Sequence, residues 1–401
     1  MAVSTGLPNG YRTSGSTCGI KGNGRPDLAL FISDKPASAS GVFTTNRVVG
    51  APVKVSSGRV PAKSIRAVVI SSGNANACTG DEGHQAALTM TAQVASELSC
   101  KPEQILVCST GIIGVPLPLN LIAAGIPNAV GTCTASPDSF QDAAAAMMTT
   151  DTFPKLMSVD TSTSTGGIRV SGAAKGAAMI APNMATMLAV IMTDAALTPE
   201  QCDAVLRFAV DCSFNCISVD GHTSTSDTVV LLANGASGQP VTDAADEAIV
   251  LSAVTDVCEK LATDIIRDAE GAEHFITVDV FGFDTRQTAF QIAREIAESA
   301  LVKTAIAGND PNWGRITSAA GYAGVPFDPD HLSLTINGTA VYRTGRPVPF
   351  DESVLSQTMQ VEDVHLLLEL SGGPNAGNQS VRFWTSDLTQ EYVRMNSEYS
   401  T

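Results

Sequence analysis

Aromatic residues are scarce, at 5% of 401 positions, so the stacking platforms that grip single-stranded nucleic acid are not expected. Basic residues are outnumbered, 24 against 40, and the net charge of −16 repels phosphate backbones and anionic membranes. Neither a nucleic-acid nor a membrane partner is expected. The most apolar stretch, Ala177 to Met192, is broken by Pro182, Asn183 and Thr186, and none reaches the length of a membrane span. Met1 to Tyr11 lacks the charged start and apolar run of a secretory leader. The nine cysteines are odd in number, and no pair has zinc-ribbon spacing. Cys212 and Cys216 lie four apart at an expected helix end with no histidine cluster beside them. Buried, reduced thiols in a cytoplasmic setting are the expectation. No Gly-x-Ser-x-Gly elbow occurs. Of the five histidines, only His222, near Asp220, could enter a Ser-His-Asp arrangement, and a solvated loop histidine is the expected role. Lys21-Gly22-Asn23-Gly24-Arg25 lacks the third glycine of a dinucleotide fingerprint and opens no helix.

Hydrophobic residues make up 44% of the chain, enough for a sizeable core, and disorder or coiled coil is excluded as the main state. Strand-like and helix-like segments alternate. Asp27–Ile32, Arg66–Ser71, Ile105–Cys108, Gly167–Ser171, Met187–Met192, Asp227–Leu232 and Phe275–Val280 read as strands. Glu82–Leu98, Ser139–Met148, Ala244–Asp268 and Gln287–Ser299 have helical spacing. Thr198-Pro199-Glu200 reads as a helix start, with a helix to about Ser213. Leu332–Ile336, His365–Leu370 and Val381–Trp384 continue as strands, and Gly308–Gly314 reads as a loop. This predicts a mixed, layered α/β fold. A boundary near 280 divides a 1–280 core from a smaller 281–401 α/β domain. Charge is unevenly spread: residues 1–185 hold 13 Lys+Arg against 10 Asp+Glu, and residues 186–401 hold 11 against 30.

One segment stands apart, Lys175-Gly176-Ala177-Ala178-Met179-Ile180-Ala181-Pro182-Asn183-Met184-Ala185-Thr186-Met187-Leu188. A small-residue loop passes through a Pro-Asn turn into an apolar strand, with Thr186 the lone hydroxyl at its mouth. Taken alone, this is also what an ordinary turn and a strand-forming threonine look like. The chemical reading is that Thr186 becomes N-terminal by cleavage after Ala185. Nucleophile and base then share one residue, because an α-amine titrates at about 7.7–8.0.

These residues, with blocks along essentially the whole chain, resemble the ornithine acetyltransferase (glutamate N-acetyltransferase) family. The resemblance implies an αββα sandwich like that of the L-aminopeptidase/D-Ala-esterase group. It also implies self-cleavage between Ala185 and Thr186, giving an α chain of 1–185 and a β chain from 186, paired as α2β2. The boundary coincides with the change in charge. By the same resemblance the nucleophile is Thr186, and Thr110 and Gly111 of Ser109-Thr110-Gly111-Ile112-Ile113-Gly114 form the oxyanion hole. Thr149, Lys175, Thr186, Glu270, Asn396 and Thr401 would bind substrate, with the C-terminal tail returning to the site. The implied reaction passes acetyl from N2-acetylornithine to glutamate through an acetyl-Thr intermediate, in arginine biosynthesis. It needs no metal or organic cofactor, and some members also take acetyl-CoA as co-substrate. Ser72–Ala77, Thr223–Thr228 and Asp310–Arg315 match family blocks and are assigned supporting roles. The chain departs from the common pattern at Ala178, often glycine, and at His222 and Ser226, commonly Asp and Asn. Ala178 raises the question of whether the loop needs a positive φ there.

Two rivals stay open. An amidohydrolase or aminopeptidase of the same superfamily would use water as acceptor. A non-enzymatic binding protein on the same fold would form no acyl intermediate.

Overall fold

The computed structural model describes residues 6–181, 187–238 and 240–398. The expected residues Ala185, Thr186 and Thr401 lie outside the described residues. The strands are β1 Tyr11–Ser16, β2 Leu28–Phe43, β3 Ala62–Asn74, β4 Ile105–Ile112, β5 Lys155–Thr163, β6 Gly166–Lys175, β7 Leu188–Thr193, β8 Ile217–Ser218, β9 Thr228–Ala233, β10 Phe275–Phe283, β11 Leu332–Ile336, β12 Thr339–Arg343, β13 Arg346–Pro347, β14 Asp363–Leu370 and β15 Ala376–Ser386. The helices are α1 Ala51–Ser57, α2 Gly80–Glu97, α3 Leu119–Gly131, α4 Pro137–Met147, α5 Pro199–Cys212, α6 Ala244–Arg267, α7 Arg286–Glu298, α8 Ala300–Ala307, α9 Trp313–Gly321, α10 Glu352–Thr358 and α11 Gln390–Glu398. The chain is mixed α/β with two sheets, as its alternating pattern predicts.

The first sheet runs β4-β3-β2-β9-β7-β6-β5, with β1 paired to β2. Its long second strand does two jobs. Leu28–Ile32 pairs with β3, whereas Ser38–Phe43 pairs with β9, and the β2–β3 register slips between Ile32 and Ala37. The two halves of the sheet thereby face one another. Phe31, Val68, Ile70, Leu106 and Cys108 of one half share a buried cluster with Ala173, Leu188, Val190, Met192, Val230 and Leu232 of the other. The alternate residues point outward, as strand geometry requires. Leu28, Leu30, Ala67, Val69, Ile105 and Val107 pack on α1, α2 and α3. Ala189, Ile191, Val229 and Leu231 pack on α5 and α6. The layers are helices, strands, strands, helices.

The second sheet, β13-β12-β11-β14-β10-β15-β8, carries α7 and α9 on its apolar face, and its core is continuous with that of α5 and α6. Residue 280 falls inside β10, and β8 joins this sheet from far upstream, so strand pairing crosses the boundary read from the sequence. Helix starts follow their caps: Thr198 and Gln201 form a reciprocal capping box, and Asp243, Thr285, Ser299 and Asn312 each accept an N–H of the first turn. The expected loop at 308–314 ends two residues earlier than expected, because Asn312 caps α9.

Of the nine cysteines, all free, Cys108, Cys133, Cys202, Cys216 and Cys258 are buried, and Cys78 is exposed against expectation. No helix among the described residues is long and apolar enough to cross a membrane.

Candidate active site

Lys175 ends β6 and pairs with Leu188 at the start of β7, which pairs in turn with Thr228 at the start of β9. Across the sandwich, β4 brings Thr110 to the same place, and the Lys175 Nζ donates to Thr110 Oγ1 at 3.4 Å. The residues just outside these strand ends enclose a cavity of about 280 Å³. Six of the expected residues line it: Thr110, Gly111, Thr149, Lys175, Glu270 and Asn396.

Gly111 has a φ of 129°, and a Cβ there would sit 2.3 Å from the carbonyl carbon of Gly73. Only glycine lets β4 pass the bulge at Asn74 with its backbone against β3. The Ala178 question resolves differently. The left-handed residue of that loop is Met179, at φ 57°, and Ala178 is not among the residues of positive φ.

Asp220 organises this loop. Its carboxylate accepts from the Met179 and Ile180 amides at 2.7 and 2.9 Å, the His222 amide at 3.2 Å and the Tyr392 hydroxyl at 3.1 Å. Burial, and then the Asp220 charge, push the Tyr392 phenol well up, so it is a hydrogen-bond donor here. The C-terminal helix α11 has no buried residue, yet it is docked at three points. Tyr392 reaches Asp220, Thr389 Oγ1 donates to the Gly271 carbonyl at 2.5 Å, and Asn396 Nδ2 donates to Glu270 Oε2 at 3.0 Å. Gly271, at φ 65°, allows the close approach, since a Cβ there would lie 2.4 Å from the Tyr392 nitrogen.

Lys175 is fully buried, rather than solvated as lone charges usually are. Burial pulls its ammonium below the usual lysine range, and the Asp151 carboxylate opposes that. Asp151 Oδ1 accepts from Lys155 Nζ at 2.8 Å and from the Gly176 amide at 2.6 Å, and its Oδ2 accepts from the Thr149 amide at 2.9 Å. Burial works against ionisation of Asp151, yet Lys175, Lys155 and these bonds hold its carboxyl well below the ordinary range. Lys155 also donates to Asp268 Oδ2, which takes the Thr152 amide at 3.0 Å. Asp268 lies two residues before Glu270, whose own amide donates to the Ala177 carbonyl at 3.0 Å.

Asp227 precedes β9, and its Oδ1 accepts from the amide of Met187, the residue after Thr186, at 3.2 Å. Its Oδ2 is buried without a partner among the described residues, and burial pushes the carboxyl well up.

Asp151, Lys155, Asp268 and Tyr392 carry no role in the sequence reading, Asp220 enters it only as a neighbour of His222, and Asp227 only within the supporting Thr223–Thr228 block. Ala178, His222, Ser224, Thr225 and Ser226 line the cavity itself, closer than the supporting role assigned to the Thr223–Thr228 block and the solvated role assigned to His222. The i, i+4 pair Asp151 and Lys155 was the available signal. No Ser-His-Asp geometry is present among the described residues. The one buried His–Asp pair, His274 Nδ1 to Asp387 at 2.7 Å, has its Nε2 on the Met359 carbonyl at 3.0 Å. No group of three or more His, Cys, Asp or Glu among the described residues could hold a metal ion.

The family model described as the ArgJ family matches residues 12–401. An "arginine biosynthesis bifunctional protein ArgJ" of Rhodopirellula baltica is 45% identical over 98% of this chain and 96% of its own length. One from Thermobifida fusca is 44% identical over 100% of both chains. A solved ornithine acetyltransferase from Mycobacterium tuberculosis, complexed with ornithine, is 36% identical, with a TM-score of 0.42 over 45% of this chain and 95% of that one. The chain belongs to the ArgJ family.

Proposed function

We propose that this protein transfers acetyl from N2-acetylornithine to glutamate in arginine biosynthesis, through an acetyl ester on Thr186 formed after self-cleavage between Ala185 and Thr186. The observation that carries this reading is the convergence of Thr110, Gly111, Thr149, Lys175, Glu270 and Asn396, from five separate stretches of chain, on one cavity. That cavity is built around the strand ends into which Thr186 leads, and the amide of the next residue, Met187, is held by Asp227.

In this mechanism the Thr186 α-amine takes the hydroxyl proton as Oγ attacks the acetyl carbonyl carbon. The negative oxygen of the tetrahedral species is met by Thr110 and the Gly111 backbone. Collapse breaks the C–N bond, and the proton passes from the α-ammonium to the departing ornithine amine. Glutamate then attacks the ester with its amine, and the same steps in reverse release N-acetylglutamate and free Thr186. The bond broken and the bond formed are both amides of amino acids, so the exchange runs in either direction. The word "bifunctional" in the relatives' names fits acetyl-CoA as a second donor, its thiol leaving in place of ornithine.

Substrate recognition follows from charge. Lys175 meets a carboxylate, and Glu270, braced by Asn396, meets the side-chain ammonium of ornithine. Thr149 and the tail residue Thr401 complete the contacts. The cleaved fragments would remain together, since strands β6 and β7 on either side of the cleavage point stay paired in one sheet; their further pairing as α2β2 is what the family resemblance implies. The test is Thr186→Ala, which removes both cleavage and turnover. Normal turnover in that variant would overturn the mechanism.

A further inference from the structure

Lys175 is an odd carboxylate receptor. It is fully buried, and burial alone would favour the neutral amine, which binds no carboxylate well. Something must hold the proton before substrate arrives. The charged groups facing it are Asp151, Lys155, Asp227 and Glu270, with Lys21 among those that Lys175 influences. Glu270 acts on Lys175 more weakly than Asp151 does, and burial drives Asp227 toward its neutral form. Asp151 remains. Its carboxylate and that of Asp268 share the single ammonium of Lys155, at side-chain exposures of 0%, 3% and 0%. Two negative charges and one positive leave this buried cluster one charge short, and Lys175 closes the balance.

We propose that Asp151 is a positioning residue for acetyl transfer: its buried carboxylate fixes the Thr149 and Gly176 amides and keeps Lys175 an ammonium ready for the substrate carboxylate. One side chain thus sets two sides of the cavity. Thr149 and Gly176 are far apart in sequence, and the bonds at 2.9 and 2.6 Å tie both to the same carboxylate. Through Lys155 and Asp268 the strut extends to the turn that carries Glu270, so the cation and the anion of the site hang on one buried frame. The assignment rests on the reading of Lys175 as a carboxylate receptor, and the experiment separates the two.

The experiment is the pH profile of kcat/KM for N-acetylornithine, measured on the processed full-length protein and on Asp151→Asn, Asp268→Asn and Lys175→Met. Titration of the substrate and of the Thr186 amine is common to all four and cancels in the comparison. In Asp151→Asn the alkaline limb moves at least about one pH unit toward acid, with most of the change in KM rather than kcat. Activity recovers as the pH is lowered. Asp268→Asn, which keeps Asp151, moves the limb the same way by less. A merely structural role lowers the whole profile without moving the limb, and that result overturns the proposal. Failure of both Asn variants to fold also counts against it, since it assigns the cluster to the scaffold. Lys175→Met raises KM for N-acetylornithine; an unchanged KM there overturns the receptor reading, and the proposal with it. A raised KM with an unmoved limb in Asp151→Asn overturns the proposal alone.

Discussion

Of the clusters that pair acids with bases among the described residues, two differ sharply in their access to water, and that separates their roles. Asp151, Lys155 and Asp268 are buried behind the cavity. Asp279, Arg382 and His365 lie on the solvent face of the second sheet, where Arg382 grips Asp279 with two bonds at 2.8 and 2.9 Å and His365 adds a third at 2.8 Å. The outer cluster has the better bidentate geometry, yet Arg382 and His365 are 56% and 46% exposed. Solvent and salt screen it, and it contributes little. The inner cluster has no water to fall back on. Each of its charges is held by the others and by backbone amides, so it is a weak source of net stability but a rigid one, and removing a member strands the rest. The lesson is that the position of an ion pair, more than its geometry, decides whether it is structure or surface.

The contrast can be broken at several points. Lys155→Met strands two carboxylates and is expected to cost roughly 3–5 kcal/mol, read as a large fall in melting temperature or as failure to accumulate folded protein. A loss under about 1 kcal/mol would place this cluster with the surface pairs. Lys303 sharpens the comparison, because its buried ammonium donates to the Thr385 hydroxyl at 2.9 Å and to the Ser386 carbonyl rather than to a contacting carboxylate. Burial pulls it from 10.5 down to about 8. Between pH 8 and 10.5 the unfolded chain holds a proton that the folded protein has released, so this group makes the protein more stable as pH rises through that window. The stability of the natural protein relative to Lys303→Met should therefore climb from pH 8 to 10.5, and a flat difference would contradict the burial argument. The smallest effect is expected at the surface. Arg382→Ala should change stability by roughly 0–1 kcal/mol and respond to salt.

Much of the fold was legible where a local signal exists. The Thr198-Pro199 start, the long amphipathic α6 and the strand Leu332–Ile336 stand where periodicity and capping put them. The second half of β2 was not legible, since Lys35, Pro36 and two serines interrupt its pattern, and its partner β9 lies nearly two hundred residues away. Strand β5, rich in Ser, Thr and Asp, and helix α11, with no buried face, also lack a hydrophobic signature. The site divides in the same way. Thr110, Gly111, Thr149, Lys175, Glu270 and Asn396 were reached through family resemblance, because a lone charge or a Thr-Gly pair carries no signal of its own. Asp268 was missed because its partner Lys155 is 113 positions away and only the fold joins them. The pairing of Asp220 with Tyr392, 172 apart, was missed for the same reason.

The central claim is that Thr186 becomes a free N-terminal nucleophile and carries the acetyl group. Intact mass under denaturing conditions, taken before and shortly after adding N-acetylornithine without glutamate, tests it most directly. The account predicts two fragments, the second beginning at Thr186 and heavier by one acetyl group after the donor is added. Glutamate should then remove that group. A single uncleaved chain in an active preparation, or turnover with no acetylated fragment, would contradict it.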